Sequence, residues 1–159
     1  MCNSIFNESI LELFDSEKKE GCNNLSDYAL KNCGIDCIIA MGKLLCPDFV
    51  CIKDYVFIKD FWERYGDGSK EALTNLENTY NYIKMQIVMC VNSWSLGDFF
   101  VGRNDELLDN EVVLKEFGEM LVYFWKKRAK ELFEDKNIVI ELGKSIAGEY
   151  GLTITMYES

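Results

Sequence analysis

The apolar residues between positions 109 and 157 change period, from helical to strand-like, and this change constrains the fold more than any other feature. Val113, Phe117, Met120 and Phe124, with Leu114, Leu121, Trp125 and Leu132, recur at helical steps. Such steps place one wide apolar stripe on a helix. The charged residues Lys115, Glu116, Glu119, Lys126, Lys127, Lys130 and Glu131 fall mostly on the other arc. Acids come early (Glu111, Glu116) and bases late (Lys126, Lys127, Arg128, Lys130), the order a helix dipole favours. Past Asp135 the period becomes two, with Ile138, Ile140 and Leu142 alternating with Val139 and Glu141. A glycine-bounded loop at 143–151 leads into Leu152-Thr153-Ile154-Thr155-Met156-Tyr157, a second strand pattern. A helix feeds a β-hairpin, and both need a cover.

The cover comes from the rest of the chain. Residues 4–18 read as a short amphipathic helix capped by Ser4. After a turn at 20–24, Ser26 caps a second helix that buries Tyr28, Leu30, Ile35, Ile38, Ile39, Met41 and Leu45 and stops at Pro47. Phe49 to Ile52 and Tyr55 to Ile58 read as strands around Lys53-Asp54, although that pair is not a favoured hairpin turn. A short helix follows, ended by Gly66-Asp67-Gly68. Ser69 then caps a helix in which Leu73, Leu76, Tyr80, Ile83 and Ile87 form a continuous seam, with Asn78 and Asn81 beside it. Asn92 to Gly97 ends this helix, and residues 98–104 form a loop with an apolar centre.

Chemistry is constrained mostly by absences. The 159 residues contain no histidine, which removes the Ser-His and Cys-His nucleophile pairs and the imidazole base. No phosphate loop, dinucleotide fingerprint or HExxH motif occurs. Seven cysteines, an odd number, argue against a disulfide framework. Cys33 and Cys37 would share a helix face, but without a CxxC pair or histidine only an all-thiolate zinc site could form. No metal or cofactor is expected. No apolar run is long enough to span a bilayer, and the first residues lack the features of a signal peptide, so a cytoplasmic protein is expected.

Charge is the more positive indicator. The net charge of −10 opposes binding to nucleic acid or to an anionic membrane. Between Ser95 and Met120 the acids Asp98, Asp105, Glu106, Asp109, Glu111, Glu116 and Glu119 outnumber Arg103 and Lys115. Such a stretch is either a solvated face or a surface shaped for a basic partner. Trp94, Phe99 and Phe100 stand just before it as candidate anchors. The candidate partner-binding set is therefore Trp94, Asp98, Phe99, Phe100, Asp105, Glu106, Asp109 and Glu111.

The ending of the chain, residues 125–141 and then Tyr150-Gly151-Leu152-Thr153-Ile154-Thr155-Met156-Tyr157, resembles that of a group of small uncharacterised bacterial proteins. In those, a helix runs through an aromatic-Pro-Asp-Arg turn into a hairpin finishing in Thr-Ile-Thr-Phe. Residues 47–50 and 77–83 share the pattern, while Glu134 replaces a common proline and Tyr82 a histidine. The likeness covers about half the chain. In size, acidity and lack of catalytic motifs the chain is similar in type to immunity proteins that neutralise bacterial toxins.

The expected fold is a single α+β domain over residues 1–159, with four or five helices packed on a small, mainly antiparallel sheet built from two hairpins. An all-α bundle is the rival if residues 49–58 are helical. The expected function is non-enzymatic: an acidic binding protein, monomeric or homodimeric, that blocks a basic partner, a toxin or a nucleic-acid enzyme. Two other classes fit the same sequence: a regulatory or scaffold subunit assembling through the apolar helix seam, and an enzyme with an unrecognised carboxylate or cysteine site.

Overall fold

Caps and breaks, rather than apolar spacing alone, set where the helices of this α+β chain begin and end. The computed structural model describes residues 6–159. They divide after Leu45 into two compact units, the second running Cys46–Ser159.

In the first unit a 3₁₀ turn, Glu8–Leu13, precedes α1, Ser16–Lys19. The proposed cap Ser4 lies outside the described residues. A single helix to Lys18 does not form, because the Asp15 carboxylate accepts the Glu17 and Lys18 N–H groups and starts a new helix there. Asn24, not Ser26, caps α2, Leu25–Asn32, by accepting the Asp27 N–H at 3.0 Å. Asn32 donates to the Lys18 carbonyl at 2.9 Å, and the Phe14 and Tyr28 rings lie 4.7 Å apart. Cys33 is extended and divides the expected long helix, so α3, Ile35–Leu45, starts afresh. The break takes the apolar residues of 28–30 and 35–45 off one common stripe. The expected burial fails accordingly: neither helix has a buried residue, and Ile35 and Ile39 are 77% and 69% exposed.

In the second unit β1, Phe49–Ile52, and β2, Tyr55–Ile58, form the expected antiparallel hairpin, with Phe49 opposite Ile58. Lys53 occupies the turn at φ +53°, a conformation that disfavours side chains. Its ammonium lies 2.7 and 2.8 Å from the two carboxylate oxygens of buried Glu77, which also accepts the Tyr55 hydroxyl at 3.2 Å. β2 is buried throughout and leads directly into α4, Lys59–Arg64. There Trp62 stacks on Phe57 at 4.7 Å.

Ser69 caps α5, Lys70–Thr79, as expected. The seam helix then breaks, because Asn81 and Tyr82 both take positive φ, and the Tyr82 N–H closes back onto the Glu77 carbonyl at 2.9 Å. Asparagine tolerates the left-handed position after a helix, and this wide closing turn ends α5. α6, Lys84–Asn92, follows. Leu73, Leu76 and Ile87 are buried and Ile83 is half exposed, so no continuous seam reaches the surface. Two long helices each split in this way, which is why the described residues hold seven α-helices.

The remaining strands make a second antiparallel sheet in the order β3-β5-β4: β3 is Trp94–Ser95, β4 Ile138–Lys144 and β5 Leu152–Glu158. The two hairpins thus belong to separate sheets. The Asn92 side chain stands between them, accepting the Ile58 N–H at 3.0 Å and donating to the carbonyls of Val56 and Met156. Across the second sheet lies α7, Glu111–Leu132, capped by Asn110. Its buried line is Gly118, Leu121, Trp125 and Ala129. Leu132 continues that line by spacing but is the last residue of α7 and 44% exposed, a correction to the burial expected there. At Gly118 helix and sheet touch so closely that a Cβ would come within 2.8 Å of Leu142 and 2.7 Å of Leu96. No helix among the described residues is long and apolar enough to cross a membrane.

Candidate partner-binding groove

The acidic segment is built from two 3₁₀ turns. Leu96–Phe100 forms a 3₁₀ turn, the chain reverses at Gly102, and a second 3₁₀ turn, Glu106–Asp109, is capped by Asp105 accepting the Leu107 N–H at 3.0 Å. That second turn packs on α7. Asp98, Asp105, Glu106, Asp109 and Glu111 are all exposed. Glu111 pairs with Lys144 at 3.3 Å, whereas the other four enter no ion pair among the described residues.

The aromatic candidates behave differently. Trp94, Phe99 and Phe100 are half-buried. Trp94 stacks on Phe61 at 4.9 Å with the Arg64 guanidinium 5.0 Å above its ring, and Phe99 stands edge-on to Trp94 at 5.9 Å. Phe99 and Phe100 both pack against Phe117 of α7, at 5.9 and 5.3 Å. These rings bind the acidic segment to α7, so the carboxylates are exposed on a backing that is itself held in place.

Beside this segment lies a groove that the apolar spacing did not reveal. α7 seats its Gly118-Leu121-Trp125 line on the sheet, and the adjacent helix flank overhangs the β4 margin without filling it. The space has a volume of about 1060 Å³. Leu114 and Val122 of α7 and Leu142 and Leu152 of the hairpin form its apolar lining. Its polar rim carries Lys115 paired with Glu119 at 3.5 Å, the Glu111–Lys144 pair, and Lys126, which has no ion pair among the described residues. Tyr150, 91% exposed, stands at the hairpin side. Burial, with the nearby Glu141 carboxylate, raises the Tyr157 phenol above its usual range and keeps it neutral. The signal for this groove was present: Leu114 and Val122 extend the apolar arc of α7 beyond what one line of contact can cover.

The groove offers an apolar lining under a rim of paired charges, and the exposed Glu106 and Asp109 precede Glu111 at one end of it. Among the described residues no three Cys, Asp or Glu side chains gather to hold a metal ion. Cys33, Cys37, Cys46 and Cys51 are exposed and unbridged, and Cys22 and Cys90 are half-buried thiols. Comparison with protein families, with curated proteins and with solved structures gives no match.

Proposed function

We propose that the protein is an acidic binding protein that docks a basic protein partner and blocks it, in the manner of an immunity-type inhibitor of a toxin or a nucleic-acid enzyme. The observation that carries this reading is an apolar groove along α7 whose N-terminal end, at Glu111, directly follows the exposed acids Asp105, Glu106 and Asp109, which enter no ion pair among the described residues. Carboxylates so placed take over the role of phosphate toward a basic surface, and apolar lining supplies affinity once the partner has arrived. The net charge of −10 supports long-range attraction of a cationic partner. Free thiols at six described cysteines suit a reducing, cytoplasmic setting.

The test is capture from the native host with the wild-type chain and with the triple variant Asp105→Lys, Glu106→Lys, Asp109→Lys, followed by association kinetics with the recovered partner. A basic partner is expected, with association slowed by the triple variant and the deficit shrinking as salt shortens the screening length to ~8 Å and below. An acidic partner, or association unaltered by the triple change, rules the reading out.

A further inference from the structure

Strand β4 has a neighbour on one side only. The order β3-β5-β4 leaves its outer edge unpaired, and no main-chain hydrogen bond links residues 138–144 to any described segment except β5. Free N–H and C=O groups on a sheet edge template another strand, so edges are ordinarily shortened, bulged, interrupted by proline or covered. β4 is seven residues long, contains no proline, and runs in unbroken register from Ile138 opposite Glu158 to Lys144 opposite Leu152. Glu141 and Lys144 are its charged guards.

We propose that an extended segment of the partner adds to β4 as a fourth strand, sending every second side chain into the groove beside α7. The proposal rests on the reading of a basic partner given above. Its geometry comes from the sheet. Leu142 reaches Gly118 and Lys144 reaches Glu111, so alternate β4 side chains face α7. A strand paired with β4 would present its own alternate side chains on that same face, beside Leu114 and Val122. The lengths agree: seven residues of strand extend ~23 Å. The flank of α7 from Glu111 to Lys126 rises about 22 Å.

Charge sets the composition and direction of the occupant. The Lys144–Glu111 pair brings the C-terminal end of β4 to the first turn of α7, where Glu106 and Asp109 are exposed. Lys126 stands near the opposite end of the groove. A segment with apolar residues at alternate positions, and lysine or arginine at the end beside Asp109, satisfies both. A second copy of this chain does not, since pairing edge to edge would bring together two molecules of net charge −10.

The experiment is selection of a phage-displayed random 12-residue peptide library on the full chain, followed by anisotropy measurements on the best synthetic peptide. The expected peptides have apolar residues at every second position and a basic cluster at one end. Leu114→Arg and, separately, Val122→Arg should each weaken binding at least tenfold, with thermal melts used to confirm that both variants fold. N-methylation of the peptide amides that pair with β4 should abolish binding, while methylation of the intervening amides should not. Protection of β4 amides from hydrogen exchange should appear only with peptide present. Peptides without period two, no enrichment at all, indifference to both groove variants, or β4 protection that follows dimerisation of the free chain would each overturn the strand-addition proposal. Alternating peptides with no basic end would sustain strand addition and remove the basic-partner reading, so the two failures are distinguishable.

Discussion

The Lys53 ammonium sits 2.7 Å from one Glu77 carboxylate oxygen, although the two residues are 24 positions apart and Lys53 occupies a turn position that favours glycine. The pair ties the tip of the first hairpin to α5. The Glu77 side chain is 6% exposed, so the loss of Lys53 leaves its charge with the Tyr55 hydroxyl as its remaining side-chain donor. Lys53→Met should cost about 1–3 kcal/mol, the range for an under-satisfied buried polar group. Lys53→Gly should cost less, because it relieves the positive φ while losing the same pair. Urea midpoints of both variants decide the matter. A neutral Lys53→Met would show that the pair contributes nothing.

Trp125 and Leu132 belong to the same helix and separate two kinds of apolar residue. Trp125 is 1% exposed and edge-on to Phe61. Trp125→Ala should therefore destabilise by roughly 3–5 kcal/mol. Leu132→Ala should stay within about 1 kcal/mol, as for a surface change. Equal losses in chemical denaturation would mean that the Gly118-Leu121-Trp125-Ala129 line of contact continues to the last residue of α7.

A pH dependence is centred on Glu158. Hydrogen bonds from Lys84 at 2.8 Å, the larger cause, and from Lys136 at 3.0 Å hold its carboxyl below the ordinary range despite partial burial. A depressed carboxyl stabilises the folded state fully above its unfolded pKa, about 4.3 for glutamate. That stabilisation is lost as pH falls through the lower folded value. The stability gap between wild type and Glu158→Gln should be open at pH 7 and closed in strong acid. A gap that widens on acidification would reverse the assigned sign.

Surface exposure sets the expectation for α3. Ile39→Ser replaces an apolar side chain that is already mostly in water. It should shift stability by no more than about 0.5 kcal/mol, read from the thermal midpoint. A large loss would show that Ile39 is covered in solution.

The parts legible in the sequence are those set by neighbouring residues. β-branched runs announced both hairpins, Ser69 its cap, and the spacing around Trp125 the longest helix. The breaks were not legible, because apolar spacing continues across Asn81 and Tyr82 while the backbone turns left-handed there. Lys53 was unreadable for a different reason: its partner Glu77 is distant in sequence. β3, two residues long, is defined by Ile154 and Thr153 opposite it rather than by any pattern of its own. At the candidate site, exposure of Asp98, Asp105, Glu106 and Asp109 followed from composition. Trp94, Phe99 and Phe100 proved to be packed among rings from two other segments, Phe61 of α4 and Phe117 of α7, which spacing alone does not encode. The groove depends on how far α7 sits from the β4 margin, a tertiary distance.

Asn92 has a consequence for how the second unit comes apart. Its one carboxamide holds the Ile58 amide of the first sheet and the Met156 carbonyl of the second. Neither sheet can pull away without leaving part of that group without a partner in a site where Asn92 is fully buried. Loss of β5 would leave the Ile58 and Val56 bonds in place and strand one carboxamide hydrogen, so parting the sheets carries the cost of an unpaired buried donor.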